Sequence, residues 1–504
     1  MSHRKGSAGK SMNDMTNLVS ENVEARSVQD YIDETPMWSD GTPVSTVPMT
    51  AMQWRIWGLA AAGKFFEGLV VFMTGVAMPL MSEEFGMGSF EHGLVGAASL
   101  FGILVGALTL GGLSDYFGRK LMFIAEMVIF IFFLVLLSVA TSFTWIVVFL
   151  FGVGLALGCD YPTAHLVISE SIPSTARGRL VLAAFAFQAV GALTGTAIGY
   201  LILSLSPEIA SWRLMYASAI IPGILVLVGR FFVTESSHWL AAVGRLPEAE
   251  EQIRKLLKRR PDYPKQIKLK VKIGHHHHKK ERTLRSLFSP KHRRATILAS
   301  VPWFLQDLST YGIGIFTPTI LAAALGEVKV IHNHDITDII ANDMLAAKGA
   351  GFIDLLLLAG MVAAVLLSDR VGRIPLQMLG FIGCAVGLLV AAFSVDYSGG
   401  MQIFLIYVGF MLFNFMTNLG PNSQTYLIAG EVFPTHVRGL GAGFAAATAK
   451  IGAVLTAFFF PILLADIGTQ VLLYGLAAAS VLGAWVTWRF GIETKGMKLE
   501  DVGH

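Results

Sequence analysis

The chain of 504 residues contains 54% hydrophobic and only 14% charged residues, and its mean hydropathy is +0.61. Soluble proteins carry about 25% charged residues, so this chain has too little polar surface for a water-soluble enzyme of several domains. The net charge of +3 gives no indication of a nucleic-acid partner. The two cysteines, Cys159 and Cys384, lie in apolar runs and provide no disulfide framework.

Twelve apolar segments follow a polar amino-terminal stretch. Residues 1–53 contain no apolar core of a signal peptide and are expected to form a disordered cytoplasmic tail. From Trp54 onward, the apolar segments predict an all-α membrane protein with twelve transmembrane helices. The segments cover residues 54–80, 93–113, 121–140, 143–168, 180–203, 212–233, 295–325, 350–368, 375–395, 401–429, 439–464 and 469–490.

A basic loop divides these segments into two halves of six. Residues 234–294 hold 17 of the 38 lysine and arginine residues, which accumulate on the cytoplasmic side of membrane proteins. We therefore expect a multi-pass plasma-membrane protein, which in a bacterium is an inner-membrane protein, with both termini in the cytoplasm. The predicted units are the tail 1–53, a bundle over 54–233, the loop 234–294, a bundle over 295–490 and a cytoplasmic tail over 491–504. The run His275 to His278 in the loop lacks fixed ligand spacing and predicts no metal site.

Two charged signals occur once in each half. An aspartate followed three residues later by Gly-Arg occurs at Asp115, with its arginine at Arg119, and again at Asp369, with its arginine at Arg373. The two aspartates are 254 residues apart. A glutamate followed seven residues later by an arginine also occurs twice, with the copies 261 residues apart. This repeat predicts two bundles of similar structure. The residues of the second signal are Glu170, Arg177, Glu431 and Arg438.

The eight charged residues of the repeat are expected to form a cytoplasmic gate. Carboxylates stabilise helix N-termini and pair with guanidinium groups, and such pairs exchange with water when one side of a protein opens. The Gly-x-Leu-x-Asp-x-x-Gly-Arg-Lys stretch at residues 111–120 resembles the most specific signature of the major facilitator superfamily. The resemblance covers residues 54–490 and implies two six-helix bundles that rock around a central site.

Ionisable residues inside the apolar segments are candidates for the transport path, because a charge at mid-bilayer costs about 2.5–3.5 kcal/mol. Trp303, Asp307 and Tyr311 recur every four residues and therefore share one helical face. Glu126 and Asp354 also lie in apolar segments, but the sequence assigns them no role. The candidates for proton coupling are Glu67, Asp160 and Asp307.

Several of these residues resemble motifs of the phosphate:proton symporters of the superfamily. Asp160-Tyr161-Pro162 matches their fourth-helix motif, and the Trp-x3-Asp-x3-Tyr pattern from Trp303 matches their seventh-helix motif. Gly420-Pro421-Asn422 matches their tenth helix, while residues 234–240 resemble a segment of sugar porters and organic-ion carriers. The resemblance implies that substrate contacts Tyr161, Gln188, Trp303, Asp307, Tyr311 and Asn422, and Lys450 also fits this pattern.

The first helix departs from the phosphate symporters, which carry two aspartates where this chain has Lys64 and Glu67. The lysine either neutralises Glu67 as a buried ion pair or binds an anionic substrate. The resemblance therefore does not determine phosphate as the solute, and a larger carboxylate or a polyol is an equal alternative.

These observations predict a proton-coupled symporter that imports a small polar or anionic solute, and not an enzyme. The chain contains no Gly-x4-Gly-Lys-Ser/Thr motif for nucleotide binding, so ATP is not expected to drive transport. The expected partners are the solute, protons and the lipid bilayer, with no cofactor, no nucleic acid and a monomeric state. The alternatives are a metabolite or drug exporter, a facilitative sugar-type carrier and, in a different class, a non-transporting nutrient receptor.

Overall fold

The computed structural model describes residues 25–34, 42, 49–110, 113–258, 267–269, 284–326, 336–434 and 437–495. Within these residues the chain is almost entirely helical, and ten helices are long and apolar enough to cross a membrane. One of them, Arg438–Phe490, is broken at Gly468, where φ is 78°, and so crosses twice. Together with the long helix Arg293–Gly326, the described part of the chain has the twelve crossing helices that the sequence predicts.

We number the crossing helices α1 to α12. The amino-terminal bundle consists of α1 (Ala51–Phe85), α2 (Ser89–Thr109), α3 (Arg119–Ser138), α4 (Phe143–Ser171), α5 (Ala176–Leu205) and α6 (Ile209–Phe231). The carboxy-terminal bundle consists of α7 (Arg293–Gly326), α8 (Ile336–Val371), α9 (Arg373–Phe393), α10 (Gly400–Glu431), α11 (438–467) and α12 (469–490). Below, the basic end is the end at which α1 begins and α6 ends.

The helix α1 lies at the centre of the amino-terminal bundle, with most of its side chains buried. Its start is fixed by a capping box, in which the Thr50 hydroxyl accepts the N–H of Gln53 and the Gln53 side chain accepts the N–H of Thr50. Its far end stops at Gly86, which adopts the left-handed conformation with φ of 61°. The residues between these ends include Lys64 and Glu67, which α1 thus holds in the protein interior.

Small residues allow close contact between helices within the amino-terminal bundle. A Cβ atom at Gly154 of α4 would lie 1.9 Å from the backbone oxygen of Ser99 in α2. One turn further along, a Cβ atom at Gly158 would lie 2.2 Å from the oxygen of Ile103. Membrane helices associate through such small residues, because lipid offers no hydrophobic drive for their contact.

The two bundles contact each other at both ends of the molecule. At the end opposite the basic end, a Cβ atom at Gly75 of α1 would lie 2.3 Å from the backbone oxygen of Ile315 in α7. Toward the basic end, the rings of Phe185 in α5 and Tyr426 in α10 stack with centroids 4.5 Å apart. The space midway along the membrane helices is therefore closed from both ends.

Part of the segment predicted to be a disordered tail is ordered. Residues 28–33 form a helix, Val28–Asp33, in which Tyr31 and Ile32 are buried. Asp33 Oδ1 accepts the backbone N–H of Ser174, 2.7 Å away, so the segment docks on the start of the Ser174–Phe185 helix. The prediction rested on the polar composition of residues 1–53 and could not detect these tertiary contacts.

The middle loop contains helices, and α8 begins earlier than its apolar segment predicts. The loop contains the helices Ser237–Ala242, Leu246–Leu256 and Leu284–Leu287, while His275 to His278 lie outside the described residues. The helix α8 begins at Ile336, well before the predicted start at residue 350, because helical geometry continues through polar residues that an apolar pattern omits.

Candidate functional site

Four charged side chains meet between the two bundles, midway along the membrane helices. Lys64 Nζ lies 2.9 Å from Glu67 Oε2, and both residues belong to α1. Lys450 Nζ of α11 lies 3.3 Å from Glu67 Oε1 and 3.4 Å from Asp307 Oδ2 of α7. All four residues are buried. We call these four residues the central cluster; its charges come from both bundles and add to zero.

Tyr311 and Gln188 connect the central cluster to its neighbours. The Tyr311 hydroxyl donates to Glu67 Oε1 over 3.1 Å and accepts hydrogen bonds from Lys450 at 2.7 Å and Gln188 at 3.0 Å. The amide of Gln188 also lies 3.3 Å from Glu67 Oε1. All of these residues were predicted to bind substrate or couple protons, and in the structure hydrogen bonds and ion pairs join them into one group.

A small cavity adjoins the central cluster between the two bundles. Its volume of about 20 Å³ has room for a single water molecule and none for a solute. The predicted substrate residue Asn422 lies in its wall and donates to Asn418 over 2.8 Å. The other polar lining residues are Gln188, Gln306, Thr310, Tyr311 and Asn418. A solute can therefore occupy this region only after the bundles move apart.

Aromatic rings line the cluster on the side of the basic end. Phe185 stacks on Tyr426, and Lys64 Nζ lies 5.8 Å from the centroid of the Phe185 ring. Trp303 meets Tyr426 edge to face, with centroids 6.1 Å apart. His165 lies 3.3 Å from the Tyr426 hydroxyl. Trp303, predicted to bind substrate, thus contacts Tyr426. We call Phe185, Tyr426 and Trp303 the aromatic wall.

A second buried charge group lies inside the amino-terminal bundle. Arg230 of α6 is fully buried and pairs with Glu126 of α3 and, over 3.1 Å, with Asp160 Oδ1 of α4. The guanidinium carbon of Arg230 lies 3.5 Å from the centroid of the Phe123 ring. We call Arg230, Glu126 and Asp160 the buried triad.

The buried triad separates Asp160 from the carboxylates with which the sequence analysis grouped it. Glu67 and Asp307 share Lys450, whereas Asp160 pairs with Arg230 behind α1. The two groups are adjacent, because a Cβ atom at Gly63 would lie only 1.8 Å from Asp160 Oδ2. The sequence analysis missed Arg230, whose only signal was an arginine three residues before the end of the sixth apolar segment.

Comparison with known proteins identifies the family. The family described as "Sugar (and other) transporter" matches residues 57–504. The chain belongs to this family. One relative is the inner membrane metabolite transport protein YgcS of Escherichia coli, which is 27% identical over 91% of this chain and 95% of YgcS. Another is the niacin transporter NiaP of Acinetobacter baylyi, which is 26% identical over 91% of this chain and 98% of NiaP.

A solved structure shows the same fold. The major facilitator superfamily proton:xylose symporter XylE of E. coli, bound to 6-bromo-6-deoxy-D-glucose, matches with a TM-score of 0.68 and 20% identity, covering 90% of this chain and 98% of XylE. The predicted major facilitator fold of two six-helix bundles is therefore confirmed. The protein is a multi-pass membrane transporter of twelve helices and not an enzyme.

The charged repeat of the transporter forms two matching networks at the basic end. In the first, Arg119 Nη2 lies 3.3 Å from Glu170 Oε1, and Ser236 donates to the other Glu170 oxygen. In the second, Arg373 Nε lies 3.1 Å from Glu431 Oε2, to which Thr494 donates over 2.6 Å. Each network joins helix ends within one bundle.

Two glutamates outside the predicted gate residues cap the third helix of each bundle. Glu235 Oε1 accepts the backbone N–H groups of Arg119 and Lys120, each over 3.0 Å. Glu493 accepts the N–H groups of Arg373 and Ile374, also over 3.0 Å. Carboxylates stabilise helix N-termini in this way, and the sequence analysis missed both capping residues.

The remaining predicted gate residues have different contacts. Arg373 also lies 2.9 Å from Asp369, whereas Arg177 donates to Gln29 of the amino-terminal segment over 2.9 Å. Arg438 donates to the backbone oxygen of Phe433 over 3.0 Å. Among the described ion pairs, the glutamates of the repeat thus pair with the arginines of the Gly-Arg signal. The side chains of Asp115 and Tyr161 lie outside the described part of the structure.

We expect Glu493→Gln and Glu235→Gln to destabilise the transporter by similar amounts, about 0.5–2 kcal/mol each, because each removes a charged helix cap. The midpoint of thermal unfolding in detergent measures this effect. Glu251→Gln is the matched control, since Glu251 is exposed, lies beyond the first turn of its helix and pairs with Lys255. An unchanged midpoint for both cap variants would show that the caps contribute nothing.

Proposed function

We propose that the transporter imports a small polar or anionic solute together with protons by alternating access. The observation that carries this proposal is Glu67, which pairs with Lys64 of its own bundle and with Lys450 of the other bundle. When the bundles move relative to each other, this shared pairing must change. A proton or a solute that alters the charge of the central cluster therefore biases the movement.

The transport cycle follows from the contacts on either side of the central cluster. Separation of α1 from α7 near Gly75 opens a path from the end opposite the basic end. Separation of Phe185 from Tyr426 opens a path from the basic end. Solute and proton enter by the first path, the central cluster rearranges around them, and they leave by the second.

The distribution of charge orients the transporter, so that import would run toward the basic end. The 17 lysine and arginine residues of residues 234–294 favour a cytoplasmic location for this end, with both termini on the same side. We place the protein in the plasma membrane, or in the inner membrane of a bacterium, in agreement with the description of YgcS as an inner membrane protein.

The residues of the site are compatible with two classes of solute, anions and polyols. The lysines of the central cluster favour an anion, and the relative NiaP is named a niacin transporter, niacin being a carboxylic acid. The amide-lined cavity next to the cluster favours a polyol, because amides donate and accept hydrogen bonds as sugar hydroxyls require. A facilitative sugar-type carrier is therefore the second candidate.

The proposal predicts that neutral amides at the central carboxylates abolish proton-driven accumulation. In proteoliposomes with an inward proton gradient, we expect Glu67→Gln and Asp307→Asn to reduce accumulation at least tenfold, while solute exchange without a gradient continues. Glu251→Gln serves as a control, because this carboxylate is exposed on a helix of the middle loop and pairs with Lys255.

Three results would contradict this prediction or the proposed import. Unchanged accumulation in both central variants would refute the assignment of proton coupling to these residues. Equilibration of solute without accumulation in the unaltered protein would favour the facilitative carrier, and outward accumulation would favour an exporter. Inside-out vesicles distinguish the two directions of flux.

A further inference from the structure

The carboxylate of Glu67 occupies a complete carboxylate-binding site. One oxygen accepts Lys64, and the other is within 3.3 Å of Lys450, Tyr311 and Gln188, so its donors come from α1, α5, α7 and α11. The residue is only 2% exposed. Such a set of donors would hold a carboxylate of a bound solute equally well, because hydrogen bonds from charged donors are the strongest that a carboxylate receives.

The charge of the central cluster limits what can join it. The two lysines balance Glu67 and Asp307, so a bound anion would leave one negative charge in excess in a buried region. An uncompensated buried charge is strongly unfavourable. One proton per monovalent anion restores neutrality.

We propose that the solute is a small organic monocarboxylate, and that its carboxylate takes the donors of Glu67 while Glu67 binds the transported proton. This inference rests on the proposed function and specifies its solute class and coupling. One anion and one proton then cross together, so the transport step carries no net charge.

Glu67 is the proton-binding group of this exchange because of its neighbours. Asp307 meets Lys450 alone among the described ion pairs, whereas Glu67 lies between both lysines at the position that the solute takes. On α3, α4 and α6 the other ionisable residues nearby include the buried triad, where Arg230 already engages Glu126 and Asp160. His165 of α4 lies 3.3 Å from the Tyr426 hydroxyl, and Asp354 of α8 accepts a hydrogen bond from Thr196. Tyr311 and Gln188 are neutral donors to the same site.

The aromatic wall favours an organic carboxylate over phosphate. The stacked rings of Phe185 and Tyr426 lie next to Lys64 and present apolar surface. The additional oxygens of phosphate would lose hydrogen bonds against such a surface, which costs about 1–3 kcal/mol for each unpaired group. The carbon body of a carboxylate, and a flat ring above all, fits against these side chains when the bundles separate.

Binding measurements with matched ligand pairs test the solute class. We expect benzoate and nicotinate to raise the unfolding midpoint of the purified transporter and to bind at least tenfold more tightly than the neutral isosteres benzamide and nicotinamide. Phosphate and glucose should bind more weakly than either carboxylate. Equal binding of acid and amide, or tighter binding of phosphate or glucose, would overturn the proposal.

The pH dependence of the same binding tests the role of Glu67. If one proton accompanies one anion, the dissociation constant for benzoate should rise by up to tenfold for each unit by which the pH increases. In Glu67→Gln the dependence should disappear, whereas the exposed-site variant Glu251→Gln should retain it. A slope that persists in Glu67→Gln would assign the proton to another group and refute this mechanism.

Uptake under a membrane potential separates the inference from the proposed function. With a proton gradient fixed, a potassium diffusion potential set by valinomycin should leave benzoate uptake by proteoliposomes unchanged. Uptake that responds to both the gradient and the potential would overturn the one-to-one coupling while leaving a proton symporter. Uptake that ignores the proton gradient would overturn the proposed function itself.

Discussion

Replacing Arg230 by methionine is expected to destabilise the transporter by roughly 3–5 kcal/mol, the usual cost of removing one partner from a buried ion pair. The side chain is fully buried and holds both Glu126 and Asp160, so its loss leaves two carboxylates close together without a counter-charge. We expect a large fall in the midpoint of thermal unfolding in detergent, together with poor recovery of folded protein.

Two further variants make this prediction specific. Neutralising the carboxylates in the triple variant Arg230→Met, Glu126→Gln, Asp160→Asn should restore much of the stability, because no unpaired charge then remains. Arg213→Met is the matched control, since Arg213 pairs with Glu84 at a partly exposed site, where an ion pair contributes about 0–1 kcal/mol. Equal losses at positions 230 and 213 would show that burial of the triad is not the cause.

Replacing Gly75 by leucine is expected to hold the transporter open at the end opposite the basic end. The new side chain would overlap the backbone of Ile315, so α1 and α7 could no longer close there. Overpacking costs about 1–3 kcal/mol, and that cost falls only on the closed state. The closed population should therefore fall roughly 5- to 150-fold, and uptake with it, while solute binding continues.

Accessibility to a membrane-impermeant thiol reagent measures this shift. A cysteine introduced by Ala189→Cys, in a protein without Cys159 and Cys384, lies in the wall of the central cavity. Labelling from the opposite end should increase in Gly75→Leu. Gly58→Leu is the matched control on the same helix, because a Cβ atom at Gly58 meets nothing within 4 Å. Unaltered labelling with lost uptake would place the defect elsewhere.

The sequence was sufficient to predict the fold and all four members of the central cluster. Apolar segments of about 20 residues identify membrane helices without knowledge of tertiary contacts. Lys64, Glu67, Asp307 and Lys450 stood out because a charge in such a segment is costly, and all four meet in the structure. Their convergence follows from the expected central site between two bundles.

Residues whose role depends on the rotation or docking of an element could not be predicted. Arg230 is one residue from the end of α6, where an arginine ordinarily marks the cytoplasmic boundary, and only the packing of α6 on α3 and α4 shows that it is buried. Glu235 and Glu493 are polar residues after the last apolar segment of each half. Their role as caps depends on contacts with residues more than 100 positions earlier in the chain.

The position of Glu493 has a consequence for biosynthesis. The amino-terminal bundle acquires its cap as soon as Glu235 emerges from the ribosome, while the other half is still to be made. The carboxy-terminal bundle receives Glu493 and Thr494 only after its sixth helix has been inserted. Translation that stops before these two residues would thus release a polypeptide that has every membrane helix but lacks the helix cap of its carboxy-terminal bundle. Such a polypeptide would be a target for membrane quality-control proteases.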